Sequence, residues 1–167
     1  NENGKTILYV LNAEEKIKIT AVSVTKDSLN FSMPVFESVF KSKRNADGSL
    51  EGIWIKGTGG AIQYWPFFAY PQQNFRFKKN LGKATVNISG KWDVTITRAN
   101  GTLRKAVAIF RQQNDKLTGT FLTPSGDYRY LEGILTGDSL KLSTFDGAHA
   151  YTFYAKTKKK KKISGGV

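Results

Sequence analysis

The stretch from Lys116 to Tyr154 constrains the fold most, because it reads as a run of strands joined by short turns. Its turn signals recur about every ten residues, a spacing typical of an antiparallel sandwich or barrel, at Ser125-Gly126, Thr136-Gly137-Asp138 and Asp146-Gly147. Glycine, serine and aspartate favour such turns because they tolerate or stabilise turn backbone conformations. No window of the chain carries an apolar stripe of helical period, so we predict an all-β chain with at most one short helix.

The amino-terminal residues repeat this stretch, which indicates two similar halves. Residues Gly4 to Ser32 align without a gap with the residues 111 positions further along the chain. In this alignment Leu11 falls on Leu122, Thr25 on Thr136 and Asp27-Ser28-Leu29 on Asp138-Ser139-Leu140. An insertion of two residues then brings Gly48 to Trp54 over Lys161 to Val167. We therefore predict an antiparallel barrel or two-sheet sandwich of lipocalin-like appearance, in one domain spanning 1–167.

The two predicted halves span residues 4–81 and 88–167, and the first is incomplete at its start. The hairpin that opens the second half at Gly90-Lys91-Trp92 has no counterpart in the first, so we expect the chain to be part of a longer product. The remaining strands are predicted from β-branched and aromatic runs at Lys5–Leu11, Lys16–Val24, Ser28–Ser32, Val35–Lys43, Leu50–Ile55, Ile62–Tyr70, Gly90–Thr97 and Arg104–Gln112. Asn45-Ala46-Asp47-Gly48 and Ala99-Asn100-Gly101 are predicted hairpin turns.

The chain is basic, with 26 Lys and Arg against 13 Asp and Glu and a formal charge of +13. Six of these lysines lie close together at Lys156 and from Lys158 to Lys162. Such a run binds phosphate without sequence preference, and a β domain that binds nucleic acid is one alternative function. The other basic residues are spread over alternate strand positions, which favours a solvated surface instead.

Catalytic chemistry has little support in the sequence. The chain contains no cysteine, which excludes a thiol nucleophile and Cys-ligated zinc, and His149 is its only histidine. We predict that His149 is structural or on the surface, with Asp146 as its only acidic neighbour along the chain. Four further candidates, Asp127, Glu132, Asp138 and Asp146, lie mostly at predicted turns. We predict no catalytic, metal or cofactor-binding residue, and the sequence identifies no ligand-binding residue.

The densest aromatic stretch lies between Ile62 and Tyr70, with Tyr64, Trp65, Phe67, Phe68 and Tyr70 around Pro66. Such a cluster is typical either of a core strand or of a surface on which a ligand stacks. We favour the core strand, and we predict core packing for Trp54 and Trp92 as well. A barrel that holds a small apolar ligand stays open as an alternative.

Three segments of the second half resemble a known family: Leu117-Thr118-Gly119-Thr120-Phe121-Leu122-Thr123, Gly126-Asp127-Tyr128-Arg129-Tyr130-Leu131-Glu132-Gly133 and Phe145-Asp146-Gly147-Ala148-His149-Ala150. Gly90-Lys91-Trp92 and, in the first half, Leu50-Glu51-Gly52-Ile53-Trp54 are similar to the same family. It is the β-rich region that precedes the thioredoxin-like domain of exported bacterial redoxins. The resemblance covers most of the chain, and Gly126 to Ala150 is its most specific part.

The resemblance implies a parent protein that is an exported thiol-disulfide oxidoreductase, periplasmic or a lipoprotein. Its Cys-x-x-Cys domain would follow Val167, since this chain has no cysteine. The expected function is then that of a non-catalytic accessory domain, which binds the thioredoxin-like domain of the same protein or that domain's substrates. A lipocalin-like barrel with a small apolar ligand and a basic nucleic-acid-binding domain remain the alternatives.

Overall fold

A computed structural model of the chain describes residues 4–57, 61–78, 82–158 and 162–166. These ranges contain strands and turns but no α-helix, which confirms the all-β prediction. The strands are β1 Leu8–Asn12, β2 Glu15–Ile19, β3 Val22–Val24, β4 Ser28–Ser32, β5 Ser38–Arg44, β6 Leu50–Lys56, β7 Gln63–Ala69, β8 Gly90–Thr97, β9 Leu103–Gln113, β10 Lys116–Thr123, β11 Gly126–Asp127, β12 Leu131–Thr136, β13 Ser139–Phe145, β14 Ala150–Lys158 and β15 Lys162–Gly166.

The chain divides into two compact units, of which the first comprises residues 1–11 and 16–74. Its main element is a five-stranded antiparallel sheet in the order β3-β4-β5-β6-β7, so that β3 and β7 are the edge strands. One face of this sheet carries a stack of aromatic rings, in which the Phe40 centroid lies 4.5 Å from that of Phe31 and 5.0 Å from that of Phe67. Trp54 extends the stack, and its indole nitrogen donates to the Ser38 hydroxyl at 2.6 Å.

The second unit comprises residues 12–15 and 75–167, and its main element is a curled sheet of eight strands. Six of them, β9-β10-β12-β13-β14 with β8 beside β9, form a half-barrel of antiparallel pairs. Strand β15 pairs with β14, and a single parallel bridge from Gly166 to Thr97 links it to β8. The strand pairing therefore forms a closed ring. It runs from β8 through β9, β10, β12, β13, β14 and β15 back to β8.

Apolar side chains fill the inside of this curled sheet. Period-2 alternation brings every second residue of each strand to the inner face, as in the buried series Ala106, Ala108 and Phe110 of β9. The buried cluster consists of Ile88, Ile96, Ala106, Ala108, Phe110, Leu117, Phe121, Leu131, Leu135, Leu140, Leu142 and Phe153. Burial of the ten larger of these side chains, each worth roughly 1.5–3 kcal/mol, supplies the main stabilising term of the unit.

Glycine at the centre of β12 lets neighbouring backbones approach closely. A Cβ on Gly133 would lie 1.8 Å from the carbonyl oxygen of Lys141 and 2.8 Å from the Cα of Leu142. Gly119 of β10 is in a similar position against the Ile109 carbonyl, where a Cβ would lie 2.1 Å away. These two positions of the curled sheet therefore have no room for a side chain.

The turn between β1 and β2, Asn12–Glu15, groups with the second unit through the buried side chain of Asn12. The Asn12 amide nitrogen donates to the carbonyl oxygen of Phe145 at 2.7 Å, and the Phe145 amide donates back to the Asn12 side-chain oxygen at 3.2 Å. Phe145 pairs with Ala150 of β14 but lies beyond the last β12–β13 pair at Ser143, so the Asn12 side chain takes the place of a backbone partner on that side.

Most predicted turns are confirmed, including the hairpin turns at Asn45–Gly48 and Ala99–Gly101. Three strand predictions are wrong in part, and in the first of them the strand predicted from Lys5 begins only at Leu8. The predicted strand Lys16–Val24 is broken between β2 and β3, and the predicted strand Val35–Lys43 begins only at Ser38. Val35 has a φ of 74° and is almost fully exposed, a backbone conformation that does not continue a strand. The predicted halves 4–81 and 88–167 stay a prediction.

Candidate functional site

The first unit presents an exposed apolar surface on its edge strand β7. Because side chains alternate along a strand, Tyr64, Pro66 and Phe68 share one face, where Pro66 lies opposite Ile53 of β6. Tyr64 is 65 % exposed and Phe68 is 54 % exposed. We call Ile53, Tyr64, Pro66 and Phe68 the aromatic face.

The prediction that this stretch is a core strand is therefore wrong for most of its aromatic residues. On the opposite face of β7 Phe67 is the only half-buried aromatic residue, while Trp65, opposite Trp54, is 52 % exposed. Tyr70, just beyond the strand, is exposed as well. The physical reason is that β7 is an edge strand, so its side chains have cross-strand neighbours from β6 on one side only. Core packing is confirmed for Trp92, which packs against the buried cluster.

A second candidate site is a cavity of about 210 Å³ at one end of the curled sheet in the second unit. The start of β9, the end of β10, the end of β13 and the start of β14 meet there, since neighbouring strands run in opposite directions. We call it the end cavity. Its lining is mostly polar: Arg104, Thr123, Ser125, Gly126, Asp127, Tyr128, Arg129, Thr144, Asp146, His149 and Tyr151.

Polar side chains occupy inward-facing strand positions around the end cavity. Thr144 continues the buried alternation of Leu140 and Leu142 along β13, and Arg104 precedes Ala106 on the corresponding face of β9. The Thr144 hydroxyl is buried and has no hydrogen-bond partner. A guanidinium and an unpaired hydroxyl thus take positions that hold apolar residues deeper in the same strands.

The only histidine lies on the rim of the end cavity and forms a pair with Asp146. The Asp146 carboxylate accepts hydrogen bonds from the amides of Ala148 at 2.8 Å and His149 at 2.7 Å, and its other oxygen lies 3.0 Å from His149 Nδ1. Partial burial raises the Asp146 pKa, but these hydrogen bonds outweigh it and hold the pKa below its ordinary value. The first two bonds form an Asx turn, the structural role that the sequence predicts for aspartate at this position.

Aromatic rings form a second part of the lining. The Tyr128 ring lies edge-on to Tyr151 with centroids 5.0 Å apart, and it contacts Phe121 with centroids 6.1 Å apart. Tyr151 is also the cross-strand partner of Thr144. Burial and the neighbouring Tyr128 and Asp146 raise the pKa of Tyr151, so that its hydroxyl stays protonated and able to donate a hydrogen bond at neutral pH.

The other three candidate carboxylates contact amide or amine groups of the protein. Asp127 accepts the amide of Arg129 at 2.8 Å, and Asp138 lies 3.9 Å from the Lys156 amine. Glu132 lies within β12 rather than at a turn, where it accepts the amide of Ala13 at 2.7 Å and pairs with Lys116. The lysine run beyond Lys156 lies outside the residues whose side chains the structure describes.

Within the described ranges, no three His, Asp or Glu side chains come together in an arrangement that could hold a metal ion. The same ranges contain no helix long and apolar enough to cross a membrane.

Of the lining residues, the sequence analysis named His149, Asp146 and Asp127 as candidates but not Arg104, Thr144 or Tyr151. Their signal was available, because a polar residue that continues an apolar period-2 series falls on the inner face of its strand.

Comparison with known proteins does not assign the chain to a family. No family model matches the chain, and no curated protein or solved structure shows significant similarity to it.

Proposed function

We propose that this chain is a non-catalytic accessory domain that binds polypeptide partners or substrates of an exported thioredoxin-like thiol-disulfide oxidoreductase. The observation that carries the binding role is the aromatic face on β7. The assignment to a redoxin, and with it a periplasmic or lipoprotein location, is supported by the motif resemblance from Gly126 to Ala150. The lack of cysteine agrees with a role in binding, with the redox chemistry carried out by another domain.

The aromatic face has the composition of a protein-binding surface. Contiguous exposed apolar patches are uncommon on soluble proteins and often mark interaction sites, and tyrosine and phenylalanine are enriched in interfaces. With 65 % of Tyr64 and 54 % of Phe68 exposed, each side chain has roughly 100 Å² left to bury. At about 25 cal/mol/Å² the two would contribute roughly 5 kcal/mol of gross binding energy, before the costs of association.

The residues beside the aromatic face indicate the chemical character of its partner. Lys41 is the β5 neighbour of Ile53, and the exposed Lys43 lies opposite Glu51. Pro66 supplies no amide donor, and prolines of this kind occur on edge strands that resist pairing with a further strand. We therefore propose recognition through side chains, with a partner segment that has apolar residues flanked by acidic ones.

The two predicted halves share a pairing scheme, which supports their proposed relationship. In each half a hairpin, β1-β2 or β10-β11, precedes a four-stranded antiparallel run, β3 to β6 or β12 to β15. Val24 pairs with Leu29, and 111 positions later Leu135 pairs with Leu140. The next strands follow the alignment across its two-residue insertion, with Phe31 opposite Phe40 and Leu142 opposite Phe153.

The alternatives have less support. The inner face of the curled sheet holds a contiguous buried cluster, which favours a packed interior over a large apolar ligand in the centre of a barrel. A nucleic-acid-binding role depends mainly on the lysine run beyond Lys156, and exposed aromatic residues alone serve protein partners as well.

The redoxin part of the proposal is tested by sequencing the parent gene on both sides of the region that encodes residues 1–167. We expect a Cys-x-x-Cys motif at a strand-to-helix junction downstream of Val167, and a signal peptide with a Gly-x-Trp hairpin upstream of Asn1. An open reading frame that lacks a Cys-x-x-Cys motif would refute the redoxin assignment.

The binding part is tested in the full-length product with Tyr64→Ser and Phe68→Ser combined. Loss of two interface aromatics should raise KM for reduction of a disulfide-bonded protein about tenfold or more, while reduction of a small-molecule disulfide stays unchanged. Tyr154→Ser is the matched control, since Tyr154 is an exposed strand aromatic of the second unit. Equal KM values for the aromatic-face variant, the control and the parent would rule out the aromatic face as the binding surface.

A further inference from the structure

The lining of the end cavity contains a buried hydroxyl, that of Thr144, for which the described residues provide no hydrogen-bond partner. Thr144 is only 5 % exposed, and its Oγ1 has no partner in the described part of the chain. A buried hydroxyl without a hydrogen bond costs roughly 1–3 kcal/mol, and such groups usually contact a water molecule or a ligand. Valine has nearly the same shape and would fill this position without that cost.

The end cavity has one cation that can contact an anion, although its two arginines and two carboxylates sum to zero formal charge. Arg129 pairs with Glu15, and the two lining carboxylates, Asp127 and Asp146, already accept hydrogen bonds from nearby amides. Arg104 donates to the neutral Ser125 hydroxyl and forms no ion pair with any described residue. The guanidinium of Arg104 is therefore the lining cation whose charge is not neutralised by a direct partner.

The size of the end cavity and its aromatic lining indicate which uncharged group could accompany the anion in a ligand. An apolar cavity of about 150 Å³ accepts one benzene molecule, so a volume of 210 Å³ has space for a single ring with a small substituent. Tyr128 and Tyr151 offer ring faces and edges to such a group, since aromatic pairs favour edge-to-face or offset contacts. The Tyr151 hydroxyl adds a hydrogen-bond donor to the lining.

From these observations we propose that the end cavity binds a small aromatic carboxylate. The carboxylate lies against the guanidinium of Arg104 and accepts the hydroxyl of Thr144, and the ring packs against Tyr128 and Tyr151. Charge-assisted hydrogen bonds from arginine to carboxylates are among the strongest polar contacts in proteins. This site lies within the second unit and does not depend on the accessory function proposed for the aromatic face.

The test is titration of the full chain with benzoate, observed by the amide chemical shifts of the isotope-labelled protein. We expect saturable shifts in Ser125, Asp146 and their neighbours around the end cavity, and much weaker shifts with benzamide, which has the same shape without the charge. Arg104→Gln should weaken benzoate binding about tenfold to a hundredfold, the range for a lost hydrogen bond to a charged group. Lys105→Gln, the outward-facing neighbour on β9, is the matched control and should bind as the parent does.

Thr144→Val provides a second variant that keeps the shape of the core. It should weaken benzoate binding several-fold without loss of stability, because the hydroxyl has no partner within the protein. Equal binding of benzoate and benzamide, shifts outside the end cavity, or binding of acetate or inorganic phosphate in preference to benzoate would each overturn the proposal. Unchanged affinity in Arg104→Gln would overturn it as well.

Discussion

Substitution of Gly133 by alanine tests the close approach of strands in the curled sheet. The new Cβ would lie 1.8 Å from the Lys141 carbonyl oxygen, whereas ordinary contacts begin near 3.4 Å, so the backbones must separate by about 1.6 Å. Gly133 pairs with Leu117 of β10 on one side and Leu142 of β13 on the other. Since both neighbours are fully buried, β12 has no free side toward which it can move.

The size of the destabilisation follows from the hydrogen bonds and packing contacts that such a separation of the strands would disrupt. Two hydrogen bonds of the β12 to β13 ladder are lost or lengthened, at about 1 kcal/mol each. Displacement of Leu142 forfeits part of the roughly 2–5 kcal/mol that removal of a buried leucine side chain costs. We expect a loss of about 3–5 kcal/mol in the free energy of unfolding, and a fall in Tm of about 10 °C for a chain of 167 residues.

The assay is urea denaturation followed by circular dichroism and by tryptophan fluorescence, to which Trp92, packed on the affected core, contributes. Gly137→Ala is the matched control. Gly137 lies in the next turn with a φ of +57° and no atom within 4 Å of a built Cβ, so alanine there costs only the left-handed backbone strain of about 1–2 kcal/mol. If Gly133→Ala is no more destabilising than Gly137→Ala, the close approach does not constrain the sheet.

Two further variants test the buried polar contacts of the second unit. Asn12→Ala should cost about 2–4 kcal/mol of unfolding free energy, because it removes both hydrogen bonds to the backbone of Phe145; equal urea midpoints for variant and parent would contradict this role. Asp146 has a lowered pKa in the folded chain, so its contribution is complete above its unfolded pKa of about 3.9 and is lost as pH falls through the folded value. The stability difference between the parent and Asp146→Asn, measured in urea from pH 6 to pH 2, should therefore shrink below about pH 4, and a constant difference would contradict the assignment.

Local features of the fold were predictable from the sequence. Turns such as Asn45–Gly48 depend on residues that are adjacent in the chain, and strand β4, Ser28–Ser32, has the predicted bounds. The break between β2 and β3 had no comparable signal, because Thr20 and Ala21 fit the alternation on both sides. Backbone hydrogen bonds there depend on partner strands rather than on local preference.

Exposure of Tyr64 and Phe68 could not be predicted, since it depends on the position of β7 in the sheet order. A strand with the same residues would be buried if another strand or sheet covered it. The end cavity was predictable only in part. The Asx turn at Asp146 is local, but Arg104 and Thr144 line the same cavity only because the sheet that holds β9 and β13 is curled, and that curl is a long-range property.

The contact between Asn12 and Phe145 has a consequence for synthesis of the chain. The two residues are separated by 133 positions, and ribosomes add about 5–20 residues per second. Phe145 is therefore synthesised roughly 7–27 s after Asn12. During this interval β1 and β2 can pair, but the amide at their turn is solvated by water. The amino-terminal hairpin can thus pair early, whereas the two hydrogen bonds between Asn12 and Phe145 can form only after the end of β13 has been synthesised.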